Sequence, residues 1–525
     1  MKKNLFILLL LPIFLGACES FLEEYSQDLA YAEDCNDLNE ILIGEGYLKR
    51  EANEQSLTYS DLNNSHYFPY LHIMDDDAVE NVFGMINIAS NKNEPIYQFR
   101  NMYIWAIDPF TSLIGDPFSD ADWSRLYKHI STVNVVLACA EDFTDDPQEL
   151  RDRVRGEAYF LRGAYYFLLV NMYANPYNSA TASTDLGVPL KTSEVVEDGF
   201  FARNTVQEVY DQIVEDLSRA VDLLHGKERQ SHFHADEVSA CILLSRVYLY
   251  MGEWELAIKQ CERAIALGCP LRNLNDMNLD ARGFMKECMN NNSCETRFTM
   301  GTPTIQTLMS TTSPMFANFA VSEDLYNSYV VTEEIEDLRQ KCFFVVSRFY
   351  GYRTCAKSPV QSNTVKSIDA YETYIIRSVE VYLNKAEAHA MKGEDESARL
   401  ALQEIFPYRY KTGKMPQIDH LTGENLVNYI RDERRRELCF EGHRWFDLRR
   451  YAVASNYPLV TEIKHEIYDQ VGDGQPGVVV GVYKLNPYGQ DNAWVLPIPR
   501  YELIFNNEES DILIDNPTRT ERPAL

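Results

Sequence analysis

Between Ile430 and Arg450 the chain reads IRDERRRELCFEGHRWFDLRR, seven arginines interleaved with five carboxylates, and no other stretch restricts the fold so tightly. A solvated charged face is lysine-rich and evenly spread. Here Leu426, Val427, Ile430 and Leu438 trace one helical stripe, and Arg434 falls in the same row. At least that guanidinium is predicted to be partly buried. Burial costs several kcal/mol unless planar acceptors meet its fork of donors. Glu433, Glu437, Glu441 or Asp447 is therefore expected to turn inward to Arg434 or Arg444 and build a water-poor ion-pair cluster. If the acids consume the donors, the cluster fixes helix packing; if donors stay free, it is an anion or acidic-sugar site. The interleaved acids favour the first reading.

The N-terminus speaks to location. Lys2 and Lys3 precede the apolar run Leu5 to Leu15, which is too short to span a bilayer and reads as a signal peptide over residues 1–17. It ends Leu15-Gly16-Ala17-Cys18, small residues ahead of a single cysteine, the arrangement that lipoprotein processing needs. Acyl chains on Cys18 would tether the mature chain to a membrane. The alternative is an ordinary secretory signal with an incidental cysteine.

The formal net charge of −30 over 525 residues argues against nucleic acid as a partner. No linker or low-complexity segment divides the chain, so residues 18–525 are expected to form one large unit. Cys241, Cys261 and Cys439 lie in helical patterns and read as buried thiols, which leaves Cys288 with Cys294 as the pair considered for a disulfide.

The pattern is mostly helical. Cys241 onward, CILLSRVYLYMGEWELAIKQCERAIALGCP places Leu244, Tyr248, Ala257, Cys261 and Ala264 close to the tetratricopeptide arrangement, two helices joined at Gly252. A second copy carries Ala386, Gly393, Ala398 and Leu402 at matching offsets. A third is split between Gly156 to Tyr173 and Val206 to Leu224, the latter opened by the capping box Thr205-x-x-Glu208. A few short strands complete the expectation.

Several apparent motifs fail. Gly472-Asp-Gly474-Gln-Pro-Gly477 is followed by VVVGVYKL, a strand, so no helix N-terminus awaits a phosphate. His232-Phe-His234 with Asp236 and Glu237 precedes a helix, where the acids cap it. Asp75-Asp76-Asp77 lacks the glycine and distal glutamate of an EF-hand loop. No cofactor, metal or catalytic residue is expected, although two carboxylates at suitable separation would suffice for a glycosidase.

The arginine block also resembles the C-terminal signature of the SusD/RagB family, through Arg431, Glu433, Arg434, Arg435, Glu437, Phe440, Glu441, Gly442, Arg444, Trp445, Asp447, Leu448 and Arg450. GEAYFLRGAYYFLLVNMYANPY from Gly156, DLGVPL from Asp185, the helix Val206 to Leu224 and AWVLPIPRYEL from Ala493 match in the family's order. The end, IDNPTRTERPAL, departs from the family's usual ending. The resemblance implies outer-membrane lipoproteins with tetratricopeptide units behind a loop-rich ligand face. They bind nutrients, mostly glycans, without cleaving them and serve a SusC-like TonB-dependent transporter. It also implies an N-terminal part over about 18–225 and a C-terminal part over about 226–525.

Sugar rings lie against aromatic planes while amides and acids take their hydroxyls. Where helical periodicity lapses, between Tyr97 and Asp120, Trp105 sits beside Tyr103 with Asn101 and Asp108 near, and this is the expected platform. The competing reading packs both rings into the core. Phe349, Tyr350 and Tyr352 form a second candidate platform. The readings are thus a cell-surface glycan-binding lipoprotein, a glycoside hydrolase, or a helical-repeat scaffold or peptide binder.

Overall fold

The computed structural model describes residues 32–49, 66–83, 95–196, 199–277, 293–302, 304–309, 318–346, 351–357, 373–469, 475–508 and 511–525. The leader, Cys18, Phe349 and Tyr350 lie outside them.

The chain is mostly α-helical, and its helices stack in sequence. Gln148–Tyr173 packs between Ala121–Asp142 and Val206–Leu223, which in turn meets Glu237–Met251. Glu237–Met251 pairs with Trp254–Gly268, against which lies Val379–Met391; that helix pairs with Asp395–Gln403 and touches Gly423–Leu438. Each start and stop has a local cause. Thr205 and Glu208 cap one another's backbone N–H groups at 3.2 and 2.8 Å, and the Asp236 carboxylate accepts from Ser239 N at 2.8 Å. Gly252 and Gly393 end their helices at φ of +79° and +80°, a conformation that β-carbons disfavour, and the chain reverses there. Ala257, Ala264, Ala386 and Ala398 are buried between the paired helices, where small side chains let backbones approach.

Glu237–Met251 is buried from Glu237 to Tyr250, as befits a helix in the middle of the stack. One apolar core runs through the N-terminal helices and the strands. A second is shared by the hairpin Val379–Gln403 and by Leu426, Val427, Ile430 and Leu438, the stripe read from the sequence. Each Leu or Ile there contributes about 1.5–3 kcal/mol on burial.

Eight strands form four antiparallel pairs among the described residues: β1 (Ala78–Glu80) with β3 (Phe319–Val321), β2 (Thr296–Met300) with β6 (Tyr374–Arg377), β4 (Phe344–Val346) with β5 (Arg353–Cys355), and β7 (Ile463–Asp469) with β8 (Val478–Leu485). The glycine-rich segment before Val478 thus leads into the second strand of a hairpin, with Ile463 opposite Leu485.

Two expectations change. Cys294 carries a free thiol, which removes the Cys288–Cys294 disulfide, Cys288 itself lying outside the described residues; Cys342 is disulfide-bonded. Cys241, Cys261 and Cys439 are free and buried. The stretch from Tyr97 is also not all loop. Pro95–Tyr103 is helical, because Phe99, Met102 and Tyr103 form a short buried stripe behind a proline at the helix start. No helix among the described residues is long and apolar enough to cross a membrane.

Candidate functional site

Tyr103 and Trp105 do come together, but inside the protein. Both are fully buried, with the His465 ring of β7 between them at centroid distances of 4.0 and 4.2 Å. The Trp105 indole donates to Met74 O at 2.9 Å. The Tyr103 hydroxyl accepts from Glu80 N at 2.9 Å and donates to Glu466 O at 3.2 Å. The His465 nitrogens meet the carbonyl oxygens of Tyr103 and Asp75 at 2.7 and 2.9 Å. This knot ties three distant segments, so the expected sugar platform is corrected to a core element. Its polar tips find backbone partners and leave the faces no solvent side. Asn101 is likewise spent on its own turn, donating to Thr111 O at 2.9 Å and Ser112 O at 3.1 Å, while Asp108 is exposed. Of the second platform, Tyr352 is buried beside Ala320, Val79 and Phe83, and it too offers no open face.

The arginine block folds as helices Gly423–Leu438 and Arg444–Ala452. Its acids turn inward, and Asp447 meets Arg434 as expected, while the three glutamates pair elsewhere. Asp447 takes Arg434 Nε at 2.8 Å and Arg450 Nε at 2.8 Å; Arg434 also donates to Asn384 at 2.7 Å. Glu437 instead takes Arg409 at 2.8 Å, Arg377 at 3.0 Å and Arg339 at 3.1 Å. Glu433 pairs with Arg339 and Arg436 at 2.6 Å each, and Glu441 with Arg377 at 2.8 Å and with Lys357. Arg444 leaves the block altogether and clasps Asp76 with two bonds of 2.7 Å. Burial pushes the Glu437 carboxyl up, but Arg409, Arg377 and Arg339 together hold it well below the usual carboxylate range. The guanidinium donors of these arginines are thus met by fixed acids, as the packing reading expects.

Sequence reasoning missed Arg339, Arg377, Arg409, Lys357 and Glu295, which supply the other half of this cluster. The available signal was context. Arg377 ends the apolar strand β6, and Arg409 stands between Tyr408 and Tyr410. Asp75, Asp76 and Asp77 lie close enough together to hold an ion, but Arg444 on Asp76 and Arg435 on Asp77, at 2.7 Å, already supply positive charge there.

An open cleft of about 200 Å³ lies elsewhere, where the first helical segment meets β2. Tyr47, Leu48, Thr299 and Met300 form its buried floor. Ile43, Lys49, Ser231, Phe233 and His234 form its rim. Beneath it Glu157, buried in the helix Gln148–Tyr173, accepts from the Tyr47 hydroxyl and meets His234 Nδ1 at 2.9 Å. The segment read as a helix cap keeps that role through Asp236; His234 has this second contact, which spacing could not reveal.

Residues 51–249 match the family model described as starch-binding, associating with outer membrane, and residues 292–516 match that of the SusD family. The chain belongs to the SusD family. It is 21% identical over 461 residues, 78% of this chain and 83% of the relative, to SusD-like protein P2 of Formosa agariphila. Its fold matches a putative sugar binding protein from Bacteroides vulgatus with a TM-score of 0.66 at 22% identity, covering 93% of this chain and 99% of that one. A laminarin binding SusD-like protein matches with a TM-score of 0.58 at 19% identity, over 93% and 100%. The ending that departs from the SusD pattern is nonetheless docked. Asn516 donates to Tyr173 O and Leu496 O at 2.7 Å each, and Arg522 grips Asp491 at 2.8 and 2.9 Å.

Proposed function

We propose that this chain is a cell-surface lipoprotein of the outer membrane that captures an oligosaccharide and delivers it, uncleaved, to a SusC-like TonB-dependent transporter. The observation that carries the carbohydrate reading is family membership over two long stretches, one of them described as starch-binding. The name of the laminarin-binding neighbour supports the same reading. The anchor rests on Cys18 and the short apolar leader before it; the transporter rests on what is general to the family.

Incubating the pure mature protein with a glycan panel tests the carbohydrate part. Retention of an intact glycan is expected, released products would mean a hydrolase, and neither would leave a scaffold or a peptide ligand.

The anchor has its own test. Cys18→Ala is expected to block processing and to move any mature protein from the membrane to the soluble fraction, since stable attachment needs two or more acyl chains. Membrane association as in the wild type would contradict lipidation at Cys18.

A further inference from the structure

The cleft beside Tyr47 has a chemistry that narrows its ligand. Glu157 is buried, and among the described residues no arginine or lysine pairs with it. A buried carboxylate needs donors on it. The Tyr47 hydroxyl is one, and the His234 ring supplies the other through Nδ1. With Nδ1 turned to the carboxylate, Nε2 is left on the opposite edge of a ring that lines the cleft. The cleft therefore offers a ring nitrogen to a hydroxyl group, which can both donate and accept. Around it stand apolar surfaces, Phe233, Met300 and Ile43.

What lines the cleft also bears on charge. Among the described residues no arginine lines it, and the one ammonium there, Lys49, already faces Glu45 at 2.9 Å. An anionic ligand would lie above the Glu157 carboxylate in a protein of net charge −30. A polyhydroxylated ring without charge fits all of these features: apolar C–H faces for Phe233 and Met300, and a hydroxyl for His234 Nε2. The volume, about 200 Å³, suits one ring, with the rest of a chain leaving over the exposed Ile43 and Lys49.

We propose that this cleft seats one uncharged hexopyranose ring of the bound oligosaccharide, with a sugar hydroxyl hydrogen-bonded to His234 Nε2 and the ring face against Phe233. The assignment rests on the carbohydrate-binding reading and adds to it both a place and a selectivity for neutral over acidic sugars.

Calorimetric titration tests it with malto- and laminari-oligosaccharides against an oligogalacturonate of equal length. The proteins are the wild type, His234→Gln and Phe233→Ala, each checked for an unchanged melt. The expected result is binding of a neutral glycan by the wild type, weakened about tenfold or more in each variant, as loss of a hydrogen bond or a stacking face implies. Phe233→Ala, at the rim, guards against a folding defect in the histidine variant. Neutral-glycan binding that is unchanged in both variants overturns the cleft and leaves the carbohydrate reading standing. Binding of oligogalacturonate alone overturns the selectivity in the same way. A wild type that binds no glycan overturns the carbohydrate reading and the cleft with it.

Discussion

Glu437→Ala is expected to destabilise the fold by about 3–5 kcal/mol, measured as the shift in a urea or thermal unfolding midpoint. Glu437 is the shared acceptor of Arg339, Arg377 and Arg409, all three buried. Its removal leaves their charge short of an acceptor in a region that water does not reach. Arg339 and Arg377 keep other acids, Asp337 and Glu441 among them, so the cluster loosens rather than disperses. An alanine variant with the wild-type midpoint would mean that the arginines are already solvated and the cluster is not dry.

Trp105→Ala is expected to cost about 3–5 kcal/mol as well, by a different route. The indole is fully buried, stacks on His465 and donates to Met74 O. Truncation opens a cavity between β7 and the Met74 segment and strips a carbonyl of its donor. The Trp105 backbone is also held in the left-handed region at φ +53°, a conformation that a tryptophan keeps only when its surroundings enforce it. Loss of the ring is expected to release that turn. Glycan affinity in the folded fraction should stay near the wild-type value. A stable Trp105→Ala protein that no longer binds glycan would restore the platform reading.

The helical frame was legible because its signals are local. The tetratricopeptide spacing from Cys241, the glycine stops and the Thr205 capping box each act within a few residues. The buried stripe of Leu426, Val427, Ile430 and Leu438 was legible for the same reason, as was the need for acids beside Arg434. The partners were not. Asp447 lies one helix away from Arg434, but Glu437 is met by arginines 28, 60 and 98 positions distant. Nothing in helical periodicity carries information over such separations. Trp105 was misjudged on the same ground: its neighbour in space, His465, is far away in the chain, and a tryptophan outside long helices reads as available until that contact is known. The His234–Glu157 contact spans 77 positions and was invisible for this reason too.

If the densest charge in the chain is a frame and ligand is held elsewhere, stability and glycan affinity must separate in one variant. Glu437→Gln is that variant, with its glycan affinity measured by calorimetry at a temperature where its melt shows it folded. The amide keeps the volume and removes the charge. The expected result is a lower melting temperature with a Kd within about twofold of the wild type, a difference of less than half a kcal/mol. A variant that melts like the wild type and has lost its glycan would make the arginine block the binding site.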